Sequence, residues 1–136
     1  MAFVPDYELK TVESRQVLPN ELTYKEAVAA SSIANVLTAS LLTNNLEVAG
    51  QMMEADVFHE SYRASLIPEL QLLREIGHEF GAYGTYLSGA GPTVMLLVPD
   101  NKLTLLTEKI MEKNLTGHLY PLKIDNKGLQ VEESVF

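Results

Sequence analysis

The chain has 136 residues, ten basic against eighteen acidic side chains, a formal net charge of −8 and no cysteine. One domain able to bury its own core is expected, and disulfides and thiolate metal sites are excluded. No Lys/Arg cluster interrupts the acidic balance, so nucleic acid and anionic membranes are poor partners, and the lack of a spanning apolar run or signal-peptide pattern makes a soluble cytoplasmic protein the default.

Phe3-Val4-Pro5-Asp6-Tyr7-Glu8-Leu9-Lys10-Thr11 sets Tyr7, Leu9 and Thr11 in alternation with charged neighbours and predicts a half-exposed strand. It follows Met1-Ala2 directly, so the chain reads as beginning inside a fold, either at a cut point or at a native start. Glu13 to Asn20 is a short polar turn with a proline stop at Pro19, in which Arg15 is the only basic residue. Taken alone, Arg15 is a solvated side chain. Thr23-Tyr24-Lys25-Glu26 has the spacing of a capping box and starts a helix to about Leu42, ended by Asn44-Asn45. Its Ala- and Ser-rich sequence, with Ile33, Leu37 and Leu41 on one stripe, predicts a central helix packed on more than one side, with Asn35 a satisfied buried polar group.

Asn44 and Glu47 repeat the capping spacing and open a helix to about Met53, with Met52 and Met53 filling gaps in the core. Asp56, His59, Glu60, Tyr62 and Arg63 then crowd into eight positions amid Val57, Phe58, Leu66 and Ile67. As a helix, this segment puts His59 and Arg63 on one face, four apart, where the planar arginine fork matches a carboxylate. The plainer alternative is a surface helix whose charges meet water and each other. A metal at His59 is set aside, since no second histidine or spaced carboxylate accompanies it. Pro68 suits the first turn of the next helix, with Leu70, Leu73 and Gly77 inward and Gly81 as C-cap. Past a turn at Pro99 to Lys102, Leu103 to Lys113 reads as an amphipathic helix facing in with Leu103, Leu106, Ile110 and Met111. His118 to Ile124 reads as a strand, Lys127-Gly128 as a turn and Leu129 to Val135 as an edge strand.

Between these helices lies Gly81 to Val98, where four of the eight glycines (Gly81, Gly84, Gly89, Gly91) precede an almost wholly apolar run. This is a tight turn feeding a strand covered on both faces. Pro92 stiffens its exit and biases Gly91 toward an extended conformation. In the nucleotide-binding glycine loops a helix follows at once and no such helix is expected here; nor does a Lys-Ser/Thr pair follow. What remains is a rigid corner of backbone amides able to touch a substrate or brace a neighbouring loop. Four or five short strands with helices between them, and a hairpin at the glycines, give an α+β layer of helices on one face of a mainly antiparallel sheet.

Three segments then stand together: Thr11-x-x-x-Arg15-x-x-Leu18-Pro19; Asp56-x-x-His59-Glu60-x-Tyr62-Arg63-x-x-Leu66-Ile67-Pro68; and Leu87-Ser88-Gly89-Ala90-Gly91-Pro92-Thr93. Their order and separations resemble those of homoserine kinases in the GHMP small-molecule kinase superfamily, over nearly the whole chain. The glycine segment is similar to the third GHMP motif, and the two arginine segments carry the likeness to homoserine kinases. The resemblance implies the ferredoxin-like C-terminal domain of that family. It also implies that an N-terminal domain, with the loop that cradles ATP phosphates and the group tied to Mg2+, lies outside this chain, so that the isolated chain is inactive and holds no catalytic residue. Arg15 and Arg63 would bind the α-carboxylate of L-homoserine, the turn Ser88, Gly89, Ala90 and Gly91 would lie against substrate, and His59 and Tyr62 would stand behind them. Partners implied are L-homoserine, the N-terminal domain in cis and a second copy as a homodimer. A stand-alone amino-acid-binding regulatory domain, or a GHMP kinase with a mevalonate-type, sugar or shikimate-type acceptor, remain the alternatives.

Overall fold

The computed structural model describes residues 1–131. Its strands are β1 (Ala2–Pro5), β2 (Gly84–Leu87), β3 (Val94–Leu97) and β4 (Gly117–Tyr120). Its helices are α1 (Thr11–Gln16), α2 (Tyr24–Leu42), α3 (Leu46–Glu54), α4 (Glu60–Arg63), α5 (Glu69–Phe80) and α6 (Leu103–Met111). The sheet has the order β2-β3-β1-β4 and every pairing is antiparallel. With a helical connection between β1 and β2, a hairpin between β2 and β3, and α6 before β4, this is the ferredoxin-like arrangement.

Register explains which side chains reach the core. Leu87 pairs with Val94, Val94 with Phe3 and Phe3 with Leu119, so this row points to the side covered by α5 and α6. There Phe3, Val94 and Leu96 bury against Leu70, Leu73 and Ile76 of α5 and Leu106 and Ile110 of α6. The hydrophobic effect at roughly 25 cal/mol per Å² makes this layer the main source of stability. The row on the opposite side, Tyr86 and Met95, is only half buried. The run expected to be covered on both faces is therefore fully buried on one.

Other expectations fare unevenly. The first strand ends at Pro5, and Thr11 to Gln16 form a helix where a strand end and a polar turn were expected. Thr23 and Glu26 form the predicted capping box. Yet α2 is not a central helix: Ala30 and Ser40 are its buried residues, Tyr24 is 87% exposed, Val28 48% and Val36 43%, and Asn35 is exposed. Small residues all round made α2 look enclosed, whereas it packs on α3 alone among the larger element contacts. The cap of α3 is Asn45, whose side chain accepts from the Val48 N–H; Asn44 takes φ 55 and closes α2 instead. Asp56 to Pro68 is not one helix but the single turn α4 followed by a 3-10 turn, Ala64–Leu66. Met111 is exposed, since α6 ends there. β4 stops at Tyr120, leaving Leu122 and Ile124 exposed and outside any strand. Of the predicted edge strand, residues 129–131 are not in a strand and the rest lies outside the described residues.

Two glycines set the approach of α3 to the sheet. A Cβ on Gly50 would stand 1.8 Å from the Tyr83 carbonyl oxygen, and one on Gly84 would stand 2.6 Å from the Gly50 Cα. Helix backbone therefore touches strand backbone, which brings Glu54, at the end of α3, to the free edge of β2.

Candidate functional site

The glycine segment folds as the β2–β3 hairpin turn. Within it, the Ser88 N–H donates to the Thr93 carbonyl at 2.9 Å and the Gly91 N–H donates to the Ser88 carbonyl at 3.1 Å. Gly89 and Gly91 take φ 58 and 83, a left-handed backbone that side chains other than glycine adopt at a cost, and the Gly91–Pro92 bond is cis. Gly91 thus departs from the extended conformation expected before a proline. A Cβ at Gly91 would also strike the Ile67 side chain at 2.5 Å, so the turn sits directly on the core. No backbone carbonyl of the described residues accepts from the N–H of Gly89 or Ala90.

Two helices are fastened to this turn through its carbonyls. Arg63, at the end of α4 and only 9% exposed, donates from Nη1 to the Gly89 carbonyl at 3.0 Å and from Nε to the Ser14 carbonyl at 3.2 Å. Ser14 of α1, fully buried, donates from Oγ to the Ala90 carbonyl at 2.7 Å. Among the described residues two of the five guanidinium N–H groups are engaged in this way, which leaves three for a ligand. The short α4 owes its start to Asp56, whose carboxylate accepts from the backbone N–H groups of Phe58, His59 and Glu60 at 2.9, 3.1 and 2.9 Å, each worth more than a neutral hydrogen bond.

These pieces enclose an open cleft of about 560 Å³. Arg15 and Arg63 line it together with Gly89 and Ala90, and so do His59, Glu60, Asp56 and Thr11. Arginines 48 positions apart in sequence thus share one cavity with the glycine corner. Ser88, Gly91 and Tyr62 are not among its lining residues. The His59 ring is exposed, with Nδ1 3.6 Å from the Asp56 carboxylate. Burial raises the Glu60 carboxyl above its ordinary value, opposed by hydrogen bonds from the Leu87 N–H and from Arg74.

Ser14 went unremarked in the sequence, Thr11 stood only as the first position of the Arg15 segment, and the structural use of Asp56 and Glu60 was not foreseen. A signal was there for the first two, because Thr11, Ser14 and Arg15 have the i, i+3, i+4 spacing of one helix face. It was obscured by reading the segment as a strand followed by a turn. Among the described residues, no three His, Asp or Glu side chains converge as a metal site. No helix there is long and apolar enough to cross a membrane.

Residues 37–114, more than half of the chain, match the family model described as GHMP kinases C terminal. All 136 residues align at 98% identity with a homoserine kinase of Lactococcus lactis subsp. cremoris, covering 46% of its length. A homoserine kinase of Streptococcus sanguinis is 50% identical over 133 residues, again with 46% of its length covered. The crystal structure of homoserine kinase from Cytophaga hutchinsonii superposes with a TM-score of 0.74 at 25% identity, over 88% of this chain and 39% of that one. The chain spans about half the length of the relatives it matches. With the ferredoxin-like sheet, the glycine turn and a family match over most of its helices, the chain belongs to the GHMP kinases, as a C-terminal domain of that family.

Proposed function

We propose that this chain is the C-terminal domain of a homoserine kinase and that its cleft positions L-homoserine for phosphorylation. In the intact enzyme the homoserine side-chain hydroxyl oxygen forms a bond to the γ-phosphorus of ATP. The bond from that phosphorus to the β,γ-bridging oxygen breaks, ADP leaves, and the hydroxyl proton is released. The products are O-phospho-L-homoserine and ADP. The observation that carries this reading is the convergence of Arg15 and Arg63 with Gly89 and Ala90 on one cleft. Two guanidinium groups there can hold an α-carboxylate, and the unclaimed N–H groups of the turn can meet a further acceptor oxygen. Phosphoryl transfer depends chiefly on positioning and charge stabilisation, so a domain that fixes the acceptor contributes to rate without supplying a base.

The ATP phosphates and Mg2+ are assigned to an N-terminal domain, in keeping with relatives about twice as long as this chain. The exposed apolar side of α2, with Tyr24, Val28 and Val36, is the surface we assign to that domain. On this reading the isolated chain is inactive and binds homoserine weakly, because half a site has little binding energy to set against the entropy of association.

The test uses the full-length protein with ATP and a panel of acceptors, product being read by phosphorus NMR. Phosphorylation of L-homoserine in preference to mevalonate, shikimate and hexoses is expected. Transfer to one of the others and not to homoserine overturns the assignment. Tight homoserine binding to the isolated chain by calorimetry favours an amino-acid-binding regulatory domain instead.

A further inference from the structure

The cleft that is to hold a carboxylate is itself lined by two carboxylates, Asp56 and Glu60. Asp56 is turned into the backbone of α4. Glu60 is the harder case: it is only 6% exposed and stands three residues before Arg63 on the same helix. Left to itself, a buried carboxylate there would pair with Arg63 or Arg15 and cancel the charge a substrate carboxylate needs. It is held elsewhere. One oxygen accepts from Arg74 Nη2 of α5, and the other accepts from the Leu87 N–H at 2.7 Å.

Arg74 is not among the residues lining the cleft, and its place is the outer edge of β2. Its Nη2 and Nε donate to the Thr85 carbonyl at 2.9 and 3.3 Å, and its Nε is 3.8 Å from the Glu54 carboxylate. Glu54 in turn accepts from the Thr85 N–H at 2.7 Å. Side chains of α3, α4 and α5 thus occupy the edge of β2 as a neighbouring strand would.

We propose that Arg74 is a positioning residue that sets the charge of the cleft: by binding Glu60, it keeps that carboxylate off Arg63 and Arg15, so both guanidinium groups stay available to an anionic ligand. The inference rests on the carboxylate-binding role proposed above. The competing explanation is that Arg74 only caps the strand edge. The two differ in what happens when the charge of Glu60 is removed.

The experiment is steady-state kinetics on the full-length protein, with thermal melts alongside. Wild-type turnover of homoserine comes first, and its absence overturns the proposed function rather than this inference. Arg74→Met should raise the homoserine KM about tenfold while kcat and the ATP KM change less than about twofold. Adding Glu60→Gln to Arg74→Met should return the homoserine KM to within about threefold of wild type, since the stranded charge is gone. Arg74→Lys, which keeps the charge but not the double contact to Thr85, should lower the melting temperature and leave the homoserine KM within about threefold of wild type. Failure of Glu60→Gln to rescue overturns the inference, because a strand-capping role cannot be restored by deleting a second cap. If Arg74→Met does not fold, Arg74→Lys decides: a KM raised about tenfold in that variant is equally fatal.

Discussion

Replacing Arg63 by alanine tests the cleft at its most connected point. The side chain ties α4 to both α1 and the glycine turn, through the Ser14 and Gly89 carbonyls at 3.2 and 3.0 Å. A hydrogen bond from a charged donor is worth about 1.5 to 3 kcal/mol, and entry of water from the open cleft favours the lower end, so the two together give about 3 kcal/mol of stability. For a domain of this size, that is a fall in melting temperature of about 10 °C by circular dichroism. If the three remaining N–H groups meet the substrate carboxylate, losing one charge-assisted contact lowers kcat/KM for homoserine by about 10- to 150-fold. The ATP KM should move by less than about threefold, because the change falls on the acceptor side. Arg63→Lys should be intermediate, since an ammonium keeps the charge but cannot reach two carbonyls and a ligand in one plane. A melting temperature within about 2 °C of wild type together with an unchanged homoserine kcat/KM would refute the assignment of Arg63 to the site.

Gly50→Ala should destabilise the chain by about 3 kcal/mol, at the upper end of overpacking, because the added Cβ meets the Tyr83 carbonyl oxygen at 1.8 Å and backbone cannot swing aside. A melt within about 2 °C of wild type would mean that α3 can lift off β2 freely. The pH dependence of stability carries a contribution from Glu60. Burial raises its native value above the ordinary 4.5, so in the window just above 4.5 the folded state binds more protons than the unfolded state. Stability from this group therefore falls as pH rises through its native value and is recovered as pH falls. Glu60→Gln should flatten that part of the pH profile of chemical denaturation, and an identical slope in both proteins would exclude Glu60 as its source.

Much of the helical framework was legible because helix ends are written in local chemistry. Thr23 and Glu26 capped α2 as their spacing implied, and Gly81 closed α5 in the left-handed region. The hairpin was legible for the same reason, since clustered glycines before an apolar run have few other uses. What failed was long-range. α1 was hidden because the alternation of Tyr7, Leu9 and Thr11 reads as a strand and the polar run after Glu13 as a turn, and the docking of Ser14 under Ala90 is what shows the helix. α2 was misjudged because small side chains look alike whether they face a neighbour or solvent. The single turn of α4 ran short of the helix expected from its spacing.

The chain by itself determined an α+β layer, the caps at Thr23 and Gly81, the stiff corner at Gly89 to Pro92 and the two arginines worth watching. Tertiary structure alone decided that Arg63 serves the backbone of two other elements before any ligand, that Asp56 is turned inward, and that Glu60 answers to Arg74 from another helix. The physical reason is that a charge's partner is set by distance in space, and burial leaves it no water to fall back on, so its role is fixed only once the fold has chosen its neighbours.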